Sequence, residues 1–118
     1  MIINIFMKAV KEDGTINLYL ADNEGDMGKN NLTTKAKDGD QIVWKLANES
    51  SIKEITGISK KEGSKSVFSE GPAAKSSTEW TATVADDAVG VESYNIDFVY
   101  EDGTPVHVDP LVDVPPAG

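Results

Sequence analysis

The chain of 118 residues contains no cysteine, no arginine, a single histidine and no long hydrophobic run. Without cysteine it can form no disulfide, no thiolate metal site and no thiol nucleophile. Its net charge of -9 is unsuited to nucleic acids and anionic membranes, which bind basic surfaces. A membrane span would need roughly 20 successive apolar residues. We therefore expect an acidic, soluble protein that binds neither nucleic acid nor membrane.

The first ten residues, Met1–Val10, determine the expected location. They lack the basic start, the long apolar stretch and the small-residue cleavage site of a signal peptide. A β-strand explains their apolar content, although a chain trimmed of its leader would read the same. We expect a cytoplasmic protein, while noting that the absence of cysteine does not by itself fix the compartment.

The dominant period of the sequence is two, which is the side-chain period of a β-strand. In the clearest case Tyr94, Ile96, Phe98 and Tyr100 alternate with other residues. Three further apolar sets alternate in the same way: Ile16, Leu18 and Leu20; Ile42, Trp44 and Leu46; Trp80, Ala82 and Val84. These sets should face a core between two sheets, with Trp44, Trp80, Ile96 and Phe98 inside it.

Turn residues divide these strands at short intervals. Three Asp-Gly pairs, at 13–14, 38–39 and 102–103, supply the positive φ values of tight turns. We predict about eight or nine strands, near 2–10, 15–20, 32–37, 41–47, 52–59, 66–68, 77–84, 92–100 and 106–114. Irregular segments are expected at 21–31, 60–65, 70–76 and 85–91, with at most one helical turn over 70–77. The chain is interpreted as one domain, 1–114, and a flexible tail, 115–118, that begins with two prolines.

Two stretches resemble the cupredoxin family. Residues 39–48 read Gly-Asp-Gln-Ile-Val-Trp-Lys-Leu-Ala-Asn, which is a turn, a strand and a polar loop. Residues 94–114 begin Tyr-Asn-Ile-Asp-Phe-Val-Tyr, turn at Asp-Gly-Thr-Pro and close with Leu-Val-Asp-Val. The resemblance implies an all-β fold, an antiparallel two-sheet Greek-key sandwich. Family members hold copper between that polar loop and the loop joining the last two strands.

The copper ligands of that family are missing. A blue-copper site needs a cysteine thiolate and two histidines, usually with an axial methionine. The resemblance places the first histidine within 49–53, the cysteine within 98–100 and the methionine near 108–109, and none of these segments contains such a residue. Only the fold is therefore carried over, and we predict no cofactor and no metal ligand.

The immunoglobulin fold is the alternative topology. Trp44 on a central strand, and Tyr94 shortly after Asp86 and Asp87, resemble its core tryptophan and its tyrosine corner. The paired cysteines of antibody domains are absent, and the spacing from aspartate to tyrosine is longer than usual. Both resemblances imply a two-sheet sandwich. They differ in strand order, which the sequence leaves open.

His107 is the only imidazole, within the segment Pro-Val-His-Val-Asp. Alternation places it opposite Val106 and Val108, on the outer face, with Asp109 on the same side. Such a pair has the chemistry of a metal ligand or a general base. A base also needs a nucleophile or substrate pocket nearby, of which the sequence gives no sign. A lone surface histidine is the simpler interpretation, and we assign no catalytic residue.

The segment Asp22–Asn30 is the strongest metal candidate. Its acidic and amide oxygens alternate in a way that can wrap a hard cation such as Ca²⁺. The EF-hand pattern fails, because Met27 stands at the glycine position and Thr33 at the position of the closing glutamate. Acidic, glycine-rich turns are commonly solvated loops, and we favour that interpretation.

Lys60, Lys61 and Lys65 form the one basic patch of the sequence. It lacks the Gly-x-x-x-x-Gly-Lys-Ser/Thr order of a phosphate-binding loop. The paired serines at 50–51 and 76–77 likewise lack a nucleophile signature such as Gly-x-Ser-x-Gly. The lysine patch is therefore interpreted as an exposed β-loop.

Three functional classes remain. The first is a non-enzymatic binding or assembly module for an unknown protein partner, because end loops and sheet edges are ready contact surfaces. Homo-oligomers can also form through such edges, and Tyr19 and Val99 are candidate contacts. The alternative is a calcium-type or small-ligand-binding protein that uses Asp22–Asp26 or the strand of His107. The third is a hydrolase with two carboxylates about 5–10 Å apart. We predict the first class and no enzymatic activity.

Overall fold

The computed structural model describes residues 1–116, which form strands and no helix, so the expected all-β class is confirmed. The strands are β1 (Ile2–Glu12), β2 (Thr15–Asp22), β3 (Met27–Lys29), β4 (Thr33–Lys35), β5 (Gln41–Leu46), β6 (Ile52–Lys60), β7 (Phe68–Ser76), β8 (Glu79–Val84), β9 (Gly90–Tyr100), β10 (Pro105–Val108) and β11 (Leu111–Val114). Within this described part, no helix is long and apolar enough to cross a membrane. Of the predicted tail 115–118, Ala117 and Gly118 lie outside the described residues.

The strands build two sheets whose inner faces share one core. The first sheet runs in the order β3-β2-β1-β5-β8-β7. In the second sheet β6 pairs with one side of β9, β10 and β11 pair in succession with the other side, and β4 lies beyond β11. Most pairs are antiparallel, as expected, but β1–β5 and β4–β11 are parallel, so both sheets are mixed. Between β1 and β5 the chain crosses to the other sheet through β4, which allows β5 to return in the direction of β1.

The predicted alternation places three of the four named core residues correctly. Trp44, Ile96 and Phe98 have 0% of their surface exposed, and their strand neighbours two positions away are also largely buried. Trp80, predicted in the same core, is only half-buried and packs against the core from one side. Each sheet therefore buries one face against the other, as a sandwich requires.

The largest buried contact between the sheets joins Trp44 on β5 to Tyr94 on β9. The two rings meet edge to face, with centroids 5.5 Å apart and an interplanar angle of 62°. The indole Nε1–H donates a hydrogen bond to the Tyr94 hydroxyl at 3.1 Å. Phe68 packs edge-on against the other side of Trp44 at 6.2 Å. Burial raises the pKa of Tyr94, which keeps the phenol neutral inside the core.

Gly28 allows the chain to leave the first sheet for the second. A Cβ placed on it would overlap the carbonyl oxygen of Asn31, so only glycine fits where the backbone folds back here. The chain then passes through the buried Leu32 into β4, on the opposite sheet. The predicted irregular segment 21–31 thus contains a short strand, β3, followed by a crossing.

Two further differences from the predicted strands involve segments that contain a proline. Segment 70–76, expected to be irregular or to hold one helical turn, belongs to β7, an edge strand with register shifts against β8. Pro72 is tolerated there because an edge strand need not use every N–H in the ladder. The single strand predicted over 106–114 is divided into β10 and β11 at Pro110, whose carbonyl accepts a hydrogen bond from Tyr94 N–H at 3.1 Å.

Replacing Trp44 by alanine should lower the free energy of unfolding by about 3–5 kcal/mol, because a fully buried indole leaves a cavity. Tyr94→Phe keeps the ring and removes only the acceptor of the indole N–H, so it should cost about 1–3 kcal/mol. Urea unfolding, followed by far-UV circular dichroism, measures both. A Trp44→Ala variant with the midpoint of the parent would contradict this placement.

Candidate functional site

His107 on β10 lies beside Asp97 of β9. The β9–β10 hairpin pairs these two positions directly, and Asp109 follows on the same face. Nδ1 of His107 lies 2.8 Å from Oδ1 of Asp97, and Nε2 lies 2.7 Å from Oδ1 of Asp109. His107 is exposed, as alternation predicts. Sequence reasoning missed Asp97, although counting back across the Asp-Gly turn at 102–103 would have found it.

The two carboxylates favour the protonated form of His107, in which both imidazole nitrogens donate hydrogen bonds. The hydrogen bond to Asp97 is the largest cause that raises its pKa, and Asp109 acts in the same direction. Lys61 lies 3.6 Å from Asp109 and extends the charged cluster. An imidazolium with both nitrogens engaged has no lone pair for a metal or for a substrate proton. The cluster therefore stabilises the surface of the hairpin.

Three carboxylates of the predicted metal loop converge at the β2–β3 turn. One oxygen each from Asp22, Glu24 and Asp26 lies within 4.8 Å of the others. Asp22, which is 8% exposed, accepts the amide N–H groups of Glu24 and Asp26 at 2.8 and 3.0 Å through Oδ1. Its Oδ2 accepts the hydroxyl of Thr34 at 3.2 Å. Because Thr34 lies on β4, Asp22 also ties the turn to the second sheet.

The remaining members of the predicted loop serve the backbone. The side-chain oxygen of Asn23 accepts the N–H of Asn4 at 2.9 Å, and that of Asn30 accepts the N–H of Leu18 at 2.7 Å. These bonds fix both ends of the turn against neighbouring strands. The two amide oxygens point to the protein and not to a shared centre with the carboxylates.

The carboxylates of this turn repel one another. Burial is the largest cause that raises the pKa of Glu24, followed by the charges of Asp22, Asp26 and Asp40. For Asp26 the largest cause that raises the pKa is its hydrogen bond with Asp22, followed by burial. In both cases the ionised form is disfavoured in the folded protein. A proton or a cation at this turn would relieve the repulsion.

Two of the three segments that the resemblance assigns to copper, 49–53 and the end of β9, meet at one end of the sandwich, whereas Val108 pairs with Ile96 further along β9. The N–H of Glu101, after β9, donates to the carbonyl of Ser51, before β6, at 2.8 Å. Of the side chains at the copper-ligand positions, Phe98, Tyr100 and Val108 are buried in the core, and Asp109 is bound to His107. None of them is a thiolate, an imidazole or a thioether, the ligands that type 1 copper requires.

The lysine patch is engaged with its own fold. Lys65 Nζ donates to the carbonyl of Val89 at 2.7 Å, and Lys61 pairs with Asp109 at 3.6 Å. Ser64 Oγ accepts the N–H of Ser93 at 2.8 Å, which fastens the loop to β9. These contacts leave no converging set of donors for a phosphate.

An apolar depression of about 430 Å³ opens on the outer face of the first sheet. We call it the apolar dish and define it by Phe6, Tyr19, Ala21, Met27 and Ala47. The alternate residues of β1 and β2 are buried in the core, so the side chains of the dish on these strands must point outward. Met27, at the edge of the dish, is 81% exposed.

Three lysines lie at or beside the apolar dish. Lys8 and Lys29 line it, and the ammonium of Lys45 lies 5.6 Å from the centroid of the Phe6 ring. Within residues 1–116 none of the three lies within 4.0 Å of a carboxylate, whereas three lysines elsewhere do. The rim therefore carries positive charge on a chain whose net charge is -9.

Tyr19 is held in a fixed orientation at the dish. Its hydroxyl donates to Oε1 of Glu12 at 2.6 Å, and the same oxygen accepts the Asn17 amide at 3.0 Å. This bond is the largest cause that lowers the pKa of Glu12 and raises that of Tyr19. Of the two candidate contacts named from sequence, Tyr19 lies in the dish, whereas Val99 lies on the second sheet.

Sequence reasoning missed Phe6, Met27 and the three lysines as one surface. Phe6 and Lys8 share the outer face of β1, which the alternation of that strand already indicates. Met27 fell in a segment expected to be irregular, and its pairing with Ala21 places it beside the other members. Only the order of strands in the sheet reveals that β3, β2, β1 and β5 contribute to one patch.

The fold and this surface define an all-β, two-sheet domain with an exposed apolar depression. A family model described as a domain of unknown function (DUF8788) matches residues 1–106, and the chain belongs to this family. The match begins before β1 and ends within β10, so it contains the whole apolar dish and the acidic turn. No curated protein matches the chain.

The titration of His107 gives a direct test of its two carboxylate contacts. Since its pKa is raised in the folded state, its contribution to stability is fully present below the ordinary value of 6.5 and is lost as pH rises through the folded-state pKa. An NMR titration of the imidazole Cε1–H should give a midpoint above 6.5. Asp97→Asn should lower this midpoint more than Asp109→Asn. A midpoint at or below 6.5 in the parent would contradict the geometry.

Proposed function

We propose that this protein is a non-enzymatic module that binds another protein through the apolar dish. The observation that carries the proposal is the exposure of Met27, 81%, beside the outward-facing rings of Phe6 and Tyr19. Clustered apolar side chains in an open concavity are typical of contact sites, and aromatic residues and methionine are enriched there. The fixed orientation of Tyr19 lowers the entropy that a complex must lose.

The side chains best suited to catalysis are already engaged, which supports a non-enzymatic role. Both nitrogens of His107 lie within hydrogen-bond distance of a carboxylate, and both oxygens of Asp22 accept hydrogen bonds. General acid–base chemistry needs a group free to exchange a proton with a substrate in a pocket. We propose a cytoplasmic protein whose partner is neither nucleic acid nor membrane, because the net charge of -9 opposes both.

Homo-oligomerisation through sheet edges is a less favoured form of the same function. The edge strands β6 and β7 both have register shifts, and β7 also contains Pro72. The other edge strands are short, with three residues in β3 and β4 and four in β10. Proline, irregular pairing and short length all weaken an edge as a template for a further strand. The face of the first sheet is the better contact surface.

We also propose a cupredoxin-like strand order in preference to the immunoglobulin-like one. The hydrogen bond from Glu101 to Ser51 supports it, because the polar loop after β5 and the β9–β10 turn meet at one end, as the resemblance implies. A comparison of strand order with solved cupredoxins and immunoglobulin domains tests this. An order shared with the second group alone would contradict the proposal.

A calcium-type cation at the acidic turn is the second candidate function. The convergence of Asp22, Glu24 and Asp26 favours it. Burial raises the pKa of Glu24 and the hydrogen bond with Asp22 raises that of Asp26, and in both cases the neighbouring negative charge adds to the shift. Ca²⁺ prefers six to eight oxygen ligands, so three carboxylates would need waters or backbone carbonyls to complete the site. The engagement of Asp22 with Thr34 makes this the weaker candidate.

Calcium binding should raise Tm if this second function holds, because a ligand that binds only the folded state stabilises it. We would compare melting in EDTA, in 1 mM and in 10 mM Ca²⁺. Glu24→Gln should abolish the rise, whereas the matched change Asp86→Asn, on an exposed loop, should leave it intact. An equal response of both variants would reject a specific site.

The main proposal predicts where a partner makes contact. A photo-crosslinking residue at position 27 should capture a partner, while the same residue at Val91, exposed on the second sheet, should not. With that partner purified, replacing Phe6 and Met27 together by alanine should weaken binding at least about tenfold. Val91→Ala should leave the affinity unchanged. Because Met27 is so exposed, its loss should barely alter Tm.

Capture from position 91 alone, or an unchanged affinity of the double variant, would reject the apolar dish as the binding surface. Calorimetry with the purified partner supplies the affinities. Circular dichroism of each variant separates lost contacts from lost folding.

A further inference from the structure

The positive charge around the apolar dish indicates which kind of partner this surface binds. We infer that the dish binds an acidic peptide segment that inserts one bulky apolar side chain, flanked by carboxylates. This inference rests on the proposed function. The juxtaposition that carries it is an apolar floor made by Phe6, Tyr19 and Met27 beside three lysines, none of which has an ion-pair partner among residues 1–116.

Charge complementarity selects the partner. The chain holds 20 acidic and 11 basic residues, yet Lys8, Lys29 and Lys45 lie around the dish with no carboxylate of residues 1–116 within 4.0 Å. Glu12, on which the charge of Lys29 acts, accepts hydrogen bonds from Tyr19 and Asn17. Glu79, the cross-strand neighbour of Lys45, is paired with Lys75 at 3.3 Å. An incoming carboxylate therefore meets cations that need not first break an internal pair.

The shape of the apolar dish favours an inserted side chain over a free small molecule as the ligand. The dish is open and shallow, whereas pockets for small ligands bury most of the ligand. A single aromatic or large aliphatic side chain can cover Phe6 and Met27, with the rest of the segment lying across the rim. The Lys45 ammonium over the Phe6 ring already forms a lysine–aromatic contact, which an incoming aromatic ring can extend.

Two other occupants fit the surface less well. A second copy docked face to face about a two-fold axis would place three lysines against three lysines, which is repulsive. An anionic lipid surface would be attracted by the same lysines but repelled by the rest of a chain with net charge -9. The acidic peptide can pair with the three lysines, and it is small enough not to contact the acidic surface of the rest of the chain.

The test uses the full chain, labelled with ¹⁵N, and three synthetic nonapeptides with one central tryptophan. The tryptophan is flanked by aspartates in the first peptide, by serines in the second and by lysines in the third. The acidic peptide should shift the amide resonances of Phe6, Tyr19 and Met27 at 20 mM salt. Its Kd should be lower than that of the neutral peptide by about tenfold, as expected for three exposed charge pairs. Raising the salt to 300 mM should remove most of this difference.

Two triple variants of equal net charge isolate the rim. Replacing Lys8, Lys29 and Lys45 by glutamine should reduce the affinity of the acidic peptide to that of the neutral one. The matched change of three exposed lysines elsewhere, Lys37, Lys53 and Lys60, should leave the tenfold preference largely intact. If both triple variants lose it equally, the preference belongs to net charge, and the inference is overturned.

The outcomes distinguish a failure of the acidic preference from a failure of the proposed binding function. If acidic and neutral peptides shift the dish resonances equally, the dish remains a binding surface and the acidic preference is wrong. If no peptide shifts them, both the acidic preference and the proposed binding function of the dish are rejected. Dish resonances that move with protein concentration alone would assign the surface to a second copy. Stronger binding to phosphatidylglycerol vesicles than to the acidic peptide would assign it to lipid, and either result overturns the inference.

Discussion

The contact between Trp44 and Tyr94 is the interaction on which the two-sheet arrangement depends most. It joins the middle strand of one sheet to the long strand of the other, and it combines an edge-to-face ring contact with a buried hydrogen bond. A buried indole N–H without an acceptor is costly, so this bond fixes how the sheets face each other as well as their distance. Asp22 supplies a smaller link of the same kind through Thr34, at the side of the sandwich next to the apolar dish. Because the two links anchor β5 and β2, the strands on either side of β1, the outer face of the first sheet is presented by a rigid support.

The distribution of lysine around the molecule suggests two different uses of the same residue. Lys11, Lys61 and Lys75 lie within 4.0 Å of acidic groups and help to hold turns and strands. The lysines around the apolar dish have no such partner in the part of the chain that the structure describes, so their charge is available to a molecule outside the chain. In an acidic protein this local reversal of sign would orient an approaching acidic segment before contact, and it would repel a second copy of the same face. Recognition by charge and recognition by apolar shape would thus act at one place.

How far the sequence predicts this structure depends on the range of the interactions involved. Alternation identifies the core set around Ile96 and Phe98, because side-chain direction in a strand is a local property. The Asp-Gly turn at 102–103 likewise contains enough information to bring His107 beside Asp97. The short strand over 27–29 and the course of 68–76 are not predictable in this way, since both are defined by neighbours distant in sequence. The apolar dish is the extreme case: Phe6 and Met27 look ordinary in their own segments and become a surface only when the strand order is known.

The parallel pairing of β4 with β11 has a consequence for synthesis. It joins residues 33–35 to residues 111–113, so β4 has no neighbour on that side until about 80 further residues have been made. At a translation rate of about 5–20 residues per second, that delay is roughly 4–16 seconds. During this time a short strand flanked by Leu32 and Ala36, both buried in the finished protein, is open to pairing with other nascent chains. Lys35 and Lys37, both exposed, place positive charge on and beside β4, and this charge discourages aggregation until β11 has been synthesised and pairs with β4.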